Sequence, residues 1–518
     1  MSTPTRTTAA SPVLAVVVLC LGGLSAALTQ TLVIPIQSEL PLLLGTAASN
    51  AAWVITVTLL AAAVAMPIAG RVADLVGKQR VLVASAGILL VGSVVCALSD
   101  TLAPMLVGRA LQGLAMGFIP VGISLMREIT PPHLTSTAVA AMSATLGVGG
   151  AIGLPLSAWI AEVGNWHALF WVAAGLAAVM LVLTWVAVPH VHDAQPGRLD
   201  VVGGVGLAVG LVSFLVGISK ATTWGWGDAR TIGAIGFGVV VLVLWGAFEL
   251  RQGDPLVDLR TTAQLPVLLT NVAAVAIGFG MMAQSIVVPQ LLQMPAATGY
   301  GLGQSILAAG LWMAPGGLMM MLFAPVSSGL IGRLGAKATL MIGATVLGAG
   351  YLVGFVLMDA PWQLLLASCV ASAGVGIGYA AMPTLILDNV PMREAASAVG
   401  LNALMRSVGT TLASAVMATL LTSNTSSLGG FEVPTKGAFQ LCFVVELVSR
   451  AAITAAATLV PTERISPLMP TAEAASVIGT ESRMRVGIAA YPIPTPADAT
   501  HEASSSCHGA SISSRATR

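Results

Sequence analysis

Pro67-Ile-Ala-Gly-Arg-Val-Ala-Asp-Leu-Val-Gly-Lys-Gln-Arg80 lies between two long apolar runs, and its reading decides the fold. The stretch sets Arg71, Lys78, Arg80, Asp74, Gly70 and Gly77 into a connection too short to be a domain. If the flanking runs cross a bilayer, the connection lies at one membrane face, and its cations mark that face as cytoplasmic.

Working outward, the composition leaves little room for a soluble protein. Of 518 residues, 56% are hydrophobic and only 8% charged, and the mean hydropathy is +0.91. A water-exposed surface could not be built from so few charges. The expectation is an all-α polytopic membrane protein. A net charge of +1, with the cations dispersed among turns, argues against a nucleic-acid partner. Cys20, Cys96, Cys369 and Cys442 lie in apolar runs and Cys507 near the C-terminus, with no spacing that suggests a disulfide or a metal site. No phosphate-cradling Gly-x-x-x-x-Gly-Lys-Ser/Thr loop occurs, so no ATP-driven step is expected from this chain, and no cofactor is implied.

A span needs about 20 apolar residues. Runs of that kind fall near 13-36, 51-69, 81-98, 102-126, 136-161, 167-188, 200-219, 231-249, 264-291, 303-324, 338-358, 362-387, 397-421 and 439-460, which predicts 14 transmembrane spans with both termini cytoplasmic. The first follows Arg6 without a cleavage site and reads as a retained helix. Charge placement agrees with the count. Inner segments hold Arg6, Arg71, Lys78, Arg80, Arg127, Arg198, Arg251, Arg260, Arg333, Lys337 and Arg393, whereas outer loops hold only Lys220, Arg230 and Lys436. Trp224 and Trp226, in the outer loop between the seventh and eighth spans, suit an interfacial belt.

The chain also repeats itself. A shift of 258 lays Pro67 on Pro325 and Gly77 on Gly335, and a shift of 260 lays Pro131, Ala138, Val139 and Gly149 on Pro391, Ala398, Val399 and Gly409. Two related six-helix bundles, 1-188 and 263-460, are expected, with two extra central helices in 189-262 and a polar, disordered cytoplasmic tail over 461-518.

Gly70, Asp74, Gly77, Lys78 and Arg80 resemble the loop between the second and third helices of the major facilitator superfamily, with Val72 where Leu is usual and Leu75 where an Arg follows the Asp. The resemblance implies a gating loop and covers the chain to about Val460. The two extra central helices are similar to those of its fourteen-span drug:proton antiporter branch. Arg109, Gln112 and Gly113 resemble that superfamily's Arg-x-x-Gln-Gly element, which implies proton coupling; physically, a guanidinium at membrane depth must find acceptors. Gly149, Gly153 and Pro155 resemble the antiporter-type helix of exporters, although Leu154 separates Gly153 from Pro155 and Ser157-Ala158 replaces two glycines. Close helix packing is the plainer reading of those glycines.

Asn402 and Arg406 lie one turn apart in a stretch resembling the fourteen-span exporters, with roles in binding or in an inner gate where Arg406 would pair with Asp388 or Glu394. The first span reads Leu28-Thr29-Gln30-Thr31-Leu32-Val33 where the family commonly has an Asp, so the proton-binding acid must lie elsewhere. Glu446 is the one acid well inside a span, read either as a coupling site or as half of an ion pair with Arg450. Asp74 and Glu162 are the remaining candidates. Met281, Met282, Gln284, Gln290, Gln293, Trp312 and Met313 suit either packing or contact with varied ligands. His190, His192 and Asp193 read as an inner loop rather than a metal site.

These readings together imply a proton-coupled exporter in the inner (cytoplasmic) membrane, acting as a monomer on a hydrophobic or amphipathic small molecule such as a drug or antibiotic. A narrow exporter of a single metabolite or self-made antibiotic is the alternative. Its partners would be substrate, protons and the lipid bilayer, and it would not be an enzyme.

Overall fold

In hydrocarbon, every backbone amide and carbonyl must pair within its own segment, which leaves helices as the way for these apolar runs to cross. The computed structural model describes residues 12–33, 36, 39–163, 165–191, 197–428 and 431–459. The tail expected over 461-518, together with His192 and Asp193, lies outside the described residues.

The long helices are α1 (Pro12–Thr31), α2 (Trp53–Val76), α3 (Lys78–Ala97), α4 (Leu102–Ile129), α5 (Pro132–Val163), α6 (His167–Ala187), α7 (Val201–Trp224), α8 (Ala229–Glu249), α9 (Leu265–Gln293), α10 (Ile306–Val356), α11 (Pro361–Asn389), α12 (Ala395–Ser423) and α13 (Lys436–Leu459). Among the described residues, 12 helices are long and apolar enough to cross a membrane. Helix α5, 32 residues long, is not one of them. Helix α10 counts once although it runs through the runs expected at 303-324 and 338-358; its backbone breaks at Gly335, with φ 84° and ψ 163°.

Apart from Gly77, the stretch from Pro67 to Arg80 is helix and not a loop. Helix α2 carries Pro67, Arg71 and Asp74 and ends at Val76, and α3 begins at Lys78. The connection is Gly77 alone, at φ 99°. Its counterpart 258 positions later, Gly335, has the same sign of φ. Both backbones lie close to the region that only glycine occupies without strain.

Local chemistry sets other boundaries. Asp200 caps α7 by accepting from the Gly203 amide at 2.7 Å, and Asp228 caps α8 through the Arg230 amide at 2.7 Å. A short antiparallel hairpin, β1 (Thr425–Leu428) with β2 (Phe431–Pro434), joins α12 to α13 and was not foreseen from the sequence.

Contacts gather the described residues, from Pro12 to Leu459, into one compact unit. Its apolar packing differs at the two ends. At the end that carries Asp74, one cluster takes Leu82, Phe118, Met126 and Val139 from α3–α5 together with Ile386, Val390, Ala396 and Val399 from α11–α12 and the segment joining them. At the opposite end the packing divides. Val33, Val54, Met105 and Phe170 form one cluster with their sequence neighbours, and Val287, Leu364, Met417 and Phe439 form another. Helices α7 and α8 are attached through a further cluster in which Leu207, Leu211 and Leu215 meet Leu60 and Leu404.

Gly335→Ala should therefore destabilise the protein by about 1–3 kcal/mol. Gly332→Ala, at a helical position with open space where the Cβ would go, should not. Thermal unfolding of both variants in detergent checks this, and equal melting temperatures would count against it.

Candidate functional site

Helices α2 and α12 cross at van der Waals distance because glycine faces backbone on both sides. A Cβ on Gly70 would sit 2.4 Å from the Ala396 carbonyl oxygen, and one on Gly400 would sit 2.4 Å from that of Met66. The approach brings Asp74 onto the start of α12. Its Oδ1 accepts from the Ala396 amide at 3.2 Å and its Oδ2 from the Ser397 amide at 3.0 Å. These amides belong to the first turn of α12 and have no partner within the helix. A carboxylate also suits the positive end of the helix dipole. Asp74 is 2% exposed. Lys78 lies 3.9 Å from Asp74 Oδ1 and donates to Glu128 on α4 at 2.5 Å, so the cation ties α3 to both carboxylates.

Arg80, grouped with these residues by the sequence, takes no part. It is exposed, and among the described residues it reaches only back to the last residue of α2, at the Val76 carbonyl. A second crossing joins α5 to α10 at the same end, where Thr137 Oγ1 lies 2.7 Å from Ser328 Oγ and Gly147 packs against Met320.

Arg109 is 1% exposed and its charge is met by oxygens rather than by an acid. Nε donates to the Val54 carbonyl at 3.1 Å; Nη1 donates to the Thr29 carbonyl at 3.2 Å and to Gln112 Oε1 at 2.7 Å. Gln112 in turn donates to Ser93 Oγ at 2.9 Å. The guanidinium thus links α1, α2 and α4, and Gln112 extends the network to α3. Thr29, where the resemblance led us to look for an acid, supplies its backbone to Arg109 and turns its hydroxyl to Ser25 O at 2.8 Å. Gly113 lets α4 lie on α2, since a Cβ there would be 2.4 Å from Thr58 O.

Along α5, a Cβ on Gly149 would be 2.4 Å from the Ala27 Cβ and one on Gly153 would be 2.0 Å from Thr31 Oγ1. Both glycines therefore serve the packing of α5 on α1. Pro155 lies further along the same helix.

In the second part of the chain, Asn402 Nδ2 donates to Asn271 Oδ1 at 3.0 Å, pinning α12 to α9. Arg406 does not pair with Asp388 or Glu394. Its guanidinium carbon lies 4.5 Å from the centre of the Tyr379 ring. Glu394 is taken instead by Arg393 at 3.0 Å and by the Thr261 hydroxyl at 3.0 Å, at the start of α12 and roughly 16 Å along the axis from Arg406.

The ion pair expected between Glu446 and Arg450 is likewise not formed. Glu446 is 0% exposed and neither carboxylate oxygen has a hydrogen-bond partner among the described residues, while Arg450 lies along Gly348 on α10. Sharing a helix face is not enough, because the neighbouring helices decide which way each long side chain turns.

Among the described residues no group of three or more His, Cys, Asp or Glu could hold a metal ion, and His190 Nδ1 instead lies 2.7 Å from Gln79 Oε1. Of the scattered amides and aromatics, Trp312 Nε1 donates to Gln304 Oε1 at 3.2 Å.

Sequence reasoning missed two contacts of the extra helices, one a hydrogen bond to α12 and the other a close approach of two carboxylates. Trp226 Nε1 donates to Thr419 Oγ1 on α12 at 2.8 Å. Asp200 Oδ2 and Glu249 Oε1 converge on Gly203, each within 2.6 Å of where its Cβ would be. Glu249 Oε2 accepts from the Leu256 amide at 3.0 Å. A carboxylate at each end of the α7–α8 pair was the available signal.

Asp74→Ala leaves two amides of α12 without acceptors, at a cost of about 1–3 kcal/mol each. The α2–α12 contact should open more often. In a background without native cysteines, maleimide labelling of Ser397→Cys should accelerate several-fold when Asp74→Ala is added; an unchanged rate would show that the contact is held by packing alone.

A sequence profile described as Major Facilitator Superfamily matches residues 19–414 and 270–486. The chain is 23% identical over 429 residues to the uncharacterized MFS-type transporter YhcA of Bacillus subtilis, covering 82% of this chain and 80% of that protein. It is 30% identical over 414 residues to the tetracenomycin C resistance and export protein of Streptomyces glaucescens, covering 78% of this chain and 74% of that one. The crystal structure of the human organic anion transporter MFSD10 superposes with a TM-score of 0.62 at 15% identity, over 87% of this chain and 99% of the other. At that identity the likeness speaks to the fold alone.

Proposed function

The chain belongs to the Major Facilitator Superfamily, a family of transporters and not enzymes, and from that premise we propose that it exports a hydrophobic or amphipathic small molecule in exchange for protons. In this reading it is a fourteen-span member of the drug:proton antiporter branch in the cytoplasmic membrane. The count rests on the break of α10 at Gly335 and on the length of α5, which add two spans to the twelve. Residues 1-188 and 263-460 form the two bundles, 189-262 the two extra helices, and the surplus of cations on one side makes the Asp74 end and both termini cytoplasmic.

One observation carries the proposal. The two bundles are tied at the Asp74 end by a carboxylate on two amides, whereas at the other end their apolar clusters are separate. That asymmetry suits one of the two states an alternating-access transporter needs, open outward and closed to the cytoplasm. Breaking the Asp74 contact would give the other.

Proton coupling is assigned to the Arg109–Gln112 pair with Glu446. Arg109 has no carboxylate beside it among the described residues, and its carbonyl partners on α1 and α2 change whenever those helices shift. Glu446, buried without partners, is a carboxyl able to exchange a proton when its surroundings change. The narrower reading, export of one metabolite or self-made antibiotic, draws support from the relative named for tetracenomycin C export.

In proteoliposomes with an imposed pH gradient, at least one member of a panel of anionic and cationic lipophilic dyes should move against concentration, and only while the gradient lasts. Arg109→Ala should reduce that movement by more than tenfold at equal protein content. Full gradient-driven transport by the variant would remove Arg109 from the mechanism, and transport indifferent to the gradient would sink the proton coupling.

A further inference from the structure

We propose that Arg406, stacked on Tyr379, is the group that binds the cargo's polar end, and that the cargo is an amphipathic organic anion presenting a carboxylate, enolate or phenolate oxygen. This deepens the transport reading above and rests on it.

Arg406 lies eleven residues into α12, roughly 16 Å along the helix axis and so near mid-membrane. Its position is constrained from two sides. Gly278 on α9 allows such close approach that a Cβ there would be 2.1 Å from the Arg406 carbonyl oxygen and 2.9 Å from its Cγ. The side chain then crosses that glycine to lie over the ring of Tyr379, which is itself 3% exposed. The attraction of the cation to the ring face uses none of its N–H donors, which stay available to another partner.

The contrast with Arg109 identifies where those donors point. Arg109 is enclosed and has three hydrogen bonds. Among the described residues Arg406 has no hydrogen bond and no ion pair, yet it is half-buried and none of its nitrogens is among the enclosed, unsatisfied atoms. A cation near mid-membrane with donors in that condition must face polar space. Packed by α9 and α11 of its own bundle, that space is the interior between the bundles.

Among the described residues none of the candidate acids sits beside this charge: Asp388 and Glu394 do not pair with Arg406, and Glu394 is held by Arg393 and Thr261. Asp74 holds the α12 amides, Glu128 holds Lys78, Glu446 is 0% exposed, and Thr29 stands in the first helix where an acid was sought. The site's charge is therefore positive, and a planar fork of donors matches a carboxylate with two parallel N–H bonds and an enolate or phenolate oxygen with one.

The test uses three fluorescent probes sharing one apolar body: pyrenebutyrate, pyrenebutanol and pyrenebutyl-trimethylammonium. Binding is measured to the full chain in phosphatidylcholine nanodiscs, with Arg251→Gln, an exposed loop position, as the control. Wild type should bind the carboxylate at least about tenfold more tightly than the ammonium. Arg406→Gln should erase that preference while leaving the alcohol's affinity unchanged. If Arg406→Gln also loses the alcohol, Arg406→Lys decides: a retained preference for the anion supports the site, and a lost one overturns it.

Equal or reversed preference in wild type, or a preference that survives Arg406→Gln, also overturns it. The same probes in vesicles separate this from the broader proposal. Gradient-driven movement of the ammonium but not the carboxylate would leave proton-coupled export standing and refute the anion site. Arg406-dependent binding without gradient-driven movement would do the reverse.

Discussion

The first amides of α12 cannot be satisfied by their own helix, and the chain meets them with the carboxylate of Asp74, more than 320 residues away in sequence. Much of the arrangement depends on that contact. It can form only where α2 and α12 approach to backbone distance, so Gly70 and Gly400 must lack side chains. It leaves Asp74 buried, so a cation is needed close by, and Lys78 supplies it while binding Glu128. Buried between the helices, these groups are out of reach of water and must be satisfied by one another.

The same scarcity of water explains why the two intramembrane arginines differ. Arg109 is enclosed, so its charge must be neutralised by what surrounds it, and two backbone carbonyls with the Gln112 amide do so without any acid. The carbonyl of Thr29 ends the first helix near its C-terminus, where peptide dipoles are least cancelled and an acceptor is strongest. Arg406 has only a ring beneath it, a weaker partner that holds orientation but leaves the donors unspent. One arginine is therefore built into the packing, and the other keeps its donors unpaired among the described residues.

Some of this was legible in the residues. Gln112 three positions after Arg109 places both on one helix face, and they are bonded at 2.7 Å. The shift of 258 marked Gly77 and Gly335 as equivalent, and each is a positive-φ break between helices. Other readings did not survive. Pro67 to Val76 had the charges and glycines of a loop but is helix, because a proline near the middle of a long apolar helix is accommodated and a single glycine suffices to turn the chain. Glu446 and Arg450 share a face yet do not pair, since the side chains follow the packing of α10 rather than each other.

By itself the sequence determined that the chain is a bundle of apolar helices, where most of them lie, and which few polar residues sit too deep to be incidental. Those properties follow from hydropathy and from spacing along one helix, which are local. Only the tertiary structure decided the partners: Asp74 with Ala396 and Ser397, Arg109 with Thr29 and Val54, Arg406 with Tyr379, and Asp200 beside Glu249. Each of these joins different helices, and which faces meet depends on how far neighbouring backbones can approach and rotate, a quantity summed over every side chain between them.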